Sequence, residues 1–139
     1  MGSLYKFGVT QKAVSLSPTL LIAEDEFFIR LAIAEYLRDE GFEVIEAGNA
    51  DEALTIFRSG KAIDLLFSDV RMPGTMDGCG LARQVREEWP ATRVILTSGY
   101  SKELLNAEGR HDLIVPKPYR PQTVLATIQS VMARGSPAN

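Results

Sequence analysis

The chain is short of the residues that build covalent or metal-bound scaffolds. Its single cysteine, Cys79, has no partner for an internal disulfide. With only one histidine, His111, beside it, a zinc site of the usual Cys/His type cannot be completed. Long hydrophobic runs are missing too. No apolar stretch nears the roughly 20 residues needed to span a bilayer, and residues 1–6 carry no signal-peptide core. An excess of positive charge is also lacking: the net charge is −3, which speaks against direct binding to nucleic acid. These absences lead us to expect a cytoplasmic domain with no membrane insertion.

What is present is a rhythm. In 139 residues, enough for one core, short apolar runs alternate with segments of helical period. Residues 1–18 have no period and read as an N-terminal extension, 19–133 as one domain, and 134–139 as a tail. Strands are expected at 19–23, 43–47, 63–68, 93–96 and 113–115, the second with the polar ends of a sheet edge. The first helix runs to about Glu40 with Ile29, Ile33, Tyr36 and Leu37 on one face. Phe27 and Phe28 fall largely off that stripe and read either as a contact surface or as the scattered exposed apolar residues common on any protein. Further helices carry Ala53, Leu54 and Phe57 after a capping pair Asn49/Glu52, then Leu81, Val85 and Trp89 up to Pro90. A short helix is expected over 101–107, and a last one from Pro121 with Val124, Ile128 and Val131 inward. Five strands alternating with five helices predict an α/β, flavodoxin-like, doubly wound parallel sheet of order 2-1-3-4-5.

In such a sheet the carboxyl ends of the strands share one rim, where chemistry is presented. The third strand ends on Asp69 and is followed at once by the turn Val70-Arg71-Met72-Pro73-Gly74, stopped by its Pro and Gly. The first ends on Glu24 and Asp25, the fourth on Thr97 and Ser98, the fifth on Lys117. Three carboxylates brought together repel one another, so the set calls for a cation; oxygen ligation suits Mg2+ or Mn2+. Asp69 can then act as a nucleophile toward phosphorus. Lys117 would neutralise the transferring group, and the Thr97 hydroxyl, preferred over Ser98, would hydrogen-bond one of its oxygens. Taken singly, each residue has a plainer reading as helix start, turn or surface; their joint arrival at the rim carries the signal.

Over residues 19–133 this constellation resembles the receiver domain of bacterial two-component response regulators, the CheY-like fold. The resemblance implies Glu24 and Asp25 as the acidic pair, Asp69 as phosphoacceptor, Thr97 as the hydroxyl, Lys117-Pro118 as the basic pair, and the backbone carbonyl of Arg71 as a further metal ligand. It implies a histidine kinase or histidine phosphotransfer protein as donor and a downstream target protein as receiver of the signal. A weak or phosphorylation-dependent homodimer is compatible with it. It is a signalling role rather than an enzyme's, the domain promoting its own phosphorylation and dephosphorylation. Two departures stand out. The loop after Asp69 is one residue longer, at Gly74-Thr75, and Ile114 occupies the position where the family carries an aromatic switch. Tyr100, three residues after Thr97, is the expected substitute in that switch. The competing reading is a module of the same fold that binds partners without phosphorylation.

Overall fold

A computed structural model describes residues 17–100 and 112–134. Five parallel strands, β1 (Thr19–Ala23), β2 (Glu43–Ala47), β3 (Leu65–Asp69), β4 (Arg93–Ser98) and β5 (Leu113–Pro116), form one sheet in the order β2-β1-β3-β4-β5. Four helices are described: α1 (Phe27–Asp39), α2 (Ala50–Arg58), α3 (Gly78–Glu88) and α4 (Pro121–Met132). The flavodoxin-like order expected from the alternation is the one found. The short helix expected over 101–107 lies outside the described residues, as do residues 1–16, His111 and 135–139.

Alternation along the buried strands sends successive side chains to opposite faces, and two cores result. Leu21, Ala23, Leu66, Val94 and Leu96 pack with Leu54 and Phe57 of α2 and Leu81 and Val85 of α3. Leu20, Ile22, Leu65, Phe67, Ile95 and Val115 pack with Ile33 and Leu37 of α1 and Val124, Ile128 and Val131 of α4. Central strands β1, β3 and β4 are buried throughout, which is why they read as unbroken apolar runs. Among the described residues no helix is long and apolar enough to cross a membrane.

Three local expectations shift. Helix α1 begins only at Phe27, with Glu26 as its N-cap. Its first turn therefore stands past the end of the sheet. Ile29, read as inward, is 36% exposed, and Phe27 and Phe28 are exposed beside it. Strand β3 begins at Leu65 rather than at residue 63; ahead of it the Asp64 carboxylate accepts the Thr19 N–H at 2.7 Å and ties down the start of β1. In the cap of α2, Asn49 Oδ1 accepts the Glu52 N–H at 2.8 Å, but Glu52 reaches back to the Gly48 N–H, one residue before the cap.

The longer loop after β3 turns at Gly74, whose φ of 108° lies in the left-handed region. It returns to Gly78, the first residue of α3, whose N–H donates to the Val70 carbonyl at 2.7 Å. Asp77 caps the helix by accepting the Gly80 N–H. A Cβ on Gly78 would stand 2.0 Å from the Asp69 carbonyl oxygen and 2.8 Å from Val70 Cα, both backbone atoms. Only glycine lets α3 close on the end of β3. Gly78→Ala is expected to cost about 3 kcal/mol, the upper end of an overpacking penalty, more than alanine's helix preference of about 1 kcal/mol returns. Chemical denaturation measures it, and an unchanged midpoint would contradict the close approach.

Candidate functional site

Parallel register sets the site. Asp69 and Thr97 are Cα partners on β3 and β4, and Ser98 partners Pro116 at the end of β5. Glu24 follows β1, held by its N–H to the Ala47 carbonyl at 3.0 Å. Its carboxylate accepts the Glu26 N–H at 3.1 Å, which folds it back over the rim. Glu24, Asp25 and Asp69 each offer an oxygen such that all three lie within 4.8 Å of one another. Glu24 and Asp69 are buried, whereas Asp25 is exposed.

Lys117 bridges the two buried carboxylates. Its Nζ lies 3.0 Å from Glu24 Oε1 and 2.8 Å from Asp69 Oδ2. The bond before Pro118 is cis, and the Lys117 N–H donates to the Ser98 carbonyl, fixing where the side chain starts. Burial pushes the Glu24 carboxyl above its usual range, and the nearby Asp69 charge adds to this. The Glu26 N–H and Lys117 pull it back without cancelling the shift. For Lys117 burial works against the ammonium, but hydrogen bonds and charges from Asp69 and Glu24 outweigh it and raise its pKa well above the ordinary value. The lysine is therefore firmly charged at neutral pH.

The two adjacent hydroxyls differ. Ser98 Oγ accepts the Tyr100 N–H at 3.0 Å in a local turn. Thr97 Oγ1 is buried with no hydrogen-bond partner. Buried hydroxyls are rarely left so, and this one belongs to the register partner of Asp69. The Arg71 N–H donates to Asp69 Oδ1 at 3.3 Å, which brings the loop after β3 back to the carboxylate. Glu24, Asp25, Asp69, Arg71, Ser98, Tyr100 and Lys117 all line one cleft of about 240 Å3. Ile114 does not join them. It is half-buried on β5, a register partner of Leu96, with its side chain on the face opposite that of Val115.

Some contributors had no signal in the sequence. Arg30 on α1 donates to the Glu24 carbonyl at 2.8 Å and pairs with Glu46, pinning the turn that presents the acidic pair. Tyr119 packs on Phe67, and burial, with the charge of Glu24, pushes its phenol up to about 12. Neither spacing nor composition singles these out, because both act through tertiary contacts. Gly78 was legible in hindsight: a glycine after an Asp cap, at the point where the chain turns back on its own strand.

The donor set, three carboxylates, is that of a hard divalent cation such as Mg2+. The charged Lys117 in the cleft, with the unpartnered Thr97 hydroxyl buried on the strand beside Asp69, suits an anionic oxygen group at this rim.

This fold and rim define the response regulator receiver domain, and a family model of that description matches residues 20–129. The chain belongs to that family, the receiver domain of two-component signalling. It is 33% identical over 131 residues to the sensor kinase CckA of Brucella abortus, covering 89% of this chain and 14% of that protein. It is 32% identical over 120 residues to the transcriptional regulatory protein ResD of Bacillus subtilis, covering 84% and 49% respectively. The chain thus spans less than half the length of either curated relative. Among solved structures, the response regulator TrrA of Thermotoga maritima, in complex with Mg2+-BeF, superposes with a TM-score of 0.76 at 29% identity, covering 82% of this chain and 98% of that one. A CheY-like receiver protein of Methanospirillum hungatei gives 0.74 at 28% identity, covering 83% and 93%.

Two outcomes follow from the geometry. Lys117→Ala leaves two buried carboxylates without their shared cation, and in metal-free buffer it is expected to lose about 1–3 kcal/mol of stability. Millimolar Mg2+ should narrow that gap in thermal melts. A melting temperature equal to wild type without metal would mean that the bridge carries no stability. Thr97→Val removes an unpartnered buried hydroxyl at nearly constant shape, so it should leave stability unchanged or raise it by about 1 kcal/mol. A clear loss on denaturation would show that the hydroxyl has a partner in solution.

Proposed function

We propose that Asp69 is the phosphoacceptor of a two-component phosphorelay, taking its phosphoryl group from a phosphohistidine on a histidine kinase or histidine phosphotransfer protein. The observation that carries this reading is the pairing of a buried Asp69, held 2.8 Å from Lys117, with an unpartnered Thr97 hydroxyl on the neighbouring strand. A carboxylate oxygen of Asp69 attacks phosphorus, and the P–N bond to the imidazole breaks with its electron pair leaving on nitrogen. Lys117 shifts its ammonium from the carboxylates to a phosphoryl oxygen, and Thr97 donates its hydroxyl hydrogen to another. Mg2+, held by the Glu24, Asp25 and Asp69 carboxylates and the Arg71 carbonyl, would supply positive charge against the phosphoryl oxygens. That the similar TrrA protein is solved in complex with Mg2+-BeF supports a Mg2+ ion at this rim.

The signal then passes through the loop after β4. Ile114 is stiff at χ1 and has no polar tip, so it cannot report a buried from an exposed state as a tyrosine does. Thr97 drawn toward the phosphoryl group moves Ser98, Gly99 and Tyr100 with it, and the altered surface engages a downstream target or a second copy of the chain. Acetyl phosphate with Mg2+, followed by intact mass, tests the acceptor. Wild type should gain one phosphoryl group and Asp69→Asn none. Equal labelling of the two proteins would remove Asp69 from the role.

A further inference from the structure

The three carboxylates of the rim are not held alike. Glu24 and Asp69 share Lys117, and each accepts a backbone N–H. Asp25 is exposed, and no group among the described residues bonds to its carboxylate. Its oxygen nevertheless stands within 4.8 Å of one from each of the others. The direction of this side chain is therefore set by the backbone that carries it, and one residue holds that backbone on both flanks. The Arg30 N–H donates to the Glu26 carbonyl at 2.9 Å, and the Arg30 guanidinium donates to the Glu24 carbonyl at 2.8 Å. The first bond opens helix α1, and any residue except proline would make it. The second needs a donor at the end of a long, fixed side chain. Arg30 is fixed by Glu46 of β2, which its Nε meets at 3.1 Å and which Arg38 also engages, and its side chain is only 16% exposed.

We propose that Arg30 is a positioning residue for the metal: it bridges the carbonyls on either side of Asp25, aims that carboxylate at Asp69, and so sets the affinity of the rim for Mg2+. This rests on the reading of the rim as a Mg2+ site and is independent of phosphorylation at Asp69. Charge alone would act with the opposite sign. A guanidinium beside three carboxylates repels an arriving cation, so if charge were its whole contribution, removing it would tighten Mg2+ binding. Positioning acts the other way. A carboxylate whose backbone is free to turn has to be ordered when the ion binds, so removing the bridge weakens binding. Outer partners that orient metal ligands change affinity by roughly 10- to 100-fold. Arg30 orients one ligand of three, which places its loss at the lower end.

Calorimetric titration of the full chain with MgCl2 tests this without any phosphodonor. Arg30→Met keeps a long, helix-forming stem and removes the guanidinium. Its Kd for Mg2+ should rise about tenfold. Arg30→Lys keeps the charge, but a single ammonium cannot serve the Glu24 carbonyl and Glu46 as the fork does. It should recover part of the loss, leaving Kd raised about threefold. Arg38→Met loosens the same α1–β2 ion pairs without touching the acidic turn, and its Kd should stay within about twofold of wild type. Unchanged or tighter Mg2+ binding by Arg30→Met would overturn the positioning role, as would the same result for Arg30→Lys should the methionine variant not fold. Equal weakening in Arg38→Met would overturn it too, since general loosening would then suffice. Wild type that binds no Mg2+ would overturn the metal reading, and the role of Arg30 with it.

Discussion

Crowding of carboxylates at the carboxyl rim of the sheet is the constraint around which the structure is arranged. At separations near 4.8 Å, each like-charged pair costs about 3 kcal/mol at an effective dielectric of roughly 20. Asp25 is exposed, so its share is screened toward the water value of about 1 kcal/mol. The buried pair, Glu24 and Asp69, has no such relief, and Lys117 supplies it from the far end of the chain, at 3.0 and 2.8 Å. The fold has to bring β1, β3 and β5 to one rim for this to happen. A site with three carboxylates and one lysine still keeps net negative charge, which is the condition for drawing in a divalent cation.

Holding that arrangement takes support that is not itself charged. Gly78 lets α3 start against the backbone of Asp69, the Asp77 cap fixes the helix there, and the Arg71 N–H returns to the carboxylate. Arg30 does the same for Glu24 from α1. Each contact is worth about 1 kcal/mol or so, yet together they leave Asp69 little freedom. The central strands beneath are buried, so the buried Glu24 and Asp69 carboxylates cannot relax into water without unfolding the rim.

Much of this was legible in the residues, and the reasons it was or was not are physical. Leu65 to Phe67 and Leu20 to Ile22 announce themselves because strands buried on both faces are apolar without interruption. Glu24, Asp69, Thr97 and Lys117 were found as strand ends, a position that topology converts into proximity. The Ile29 expectation failed because periodicity locates a helix face but not how far the helix overhangs the sheet; its first turn projects past the strands. The Arg71 guanidinium over the Tyr100 ring, Cζ 3.8 Å from its centroid, and the Arg30 link to the Glu24 carbonyl were invisible for another reason: both join residues through side-chain reach, which spacing along the chain does not encode. Glu52 shows the finest limit, a capping pair recognised correctly but closed on Gly48 instead of Asn49.

The same charges constrain how a signal could leave the site. On the proposed chemistry, phosphorylation replaces a carboxylate of one negative charge by a group carrying about 1.5 to 2. A modification biases a conformation only through contacts that differ between the two states. Lys117 is already fully engaged with Glu24 and Asp69, so moving it to a phosphoryl oxygen exchanges one charged contact for another and gains little. Thr97 is different: its hydroxyl begins with no partner, and any bond it makes is net gain of about 1.5–3 kcal/mol for a charged acceptor. That exceeds the roughly 0.5–1 kcal/mol of an exposed cation–π stack. The strand β4 hydroxyl therefore has the energy to pull the following loop with it, Tyr100 included, whose ring the Arg71 guanidinium overlies, whereas Ile114 lies outside the cleft and has no polar group to offer the phosphoryl oxygens.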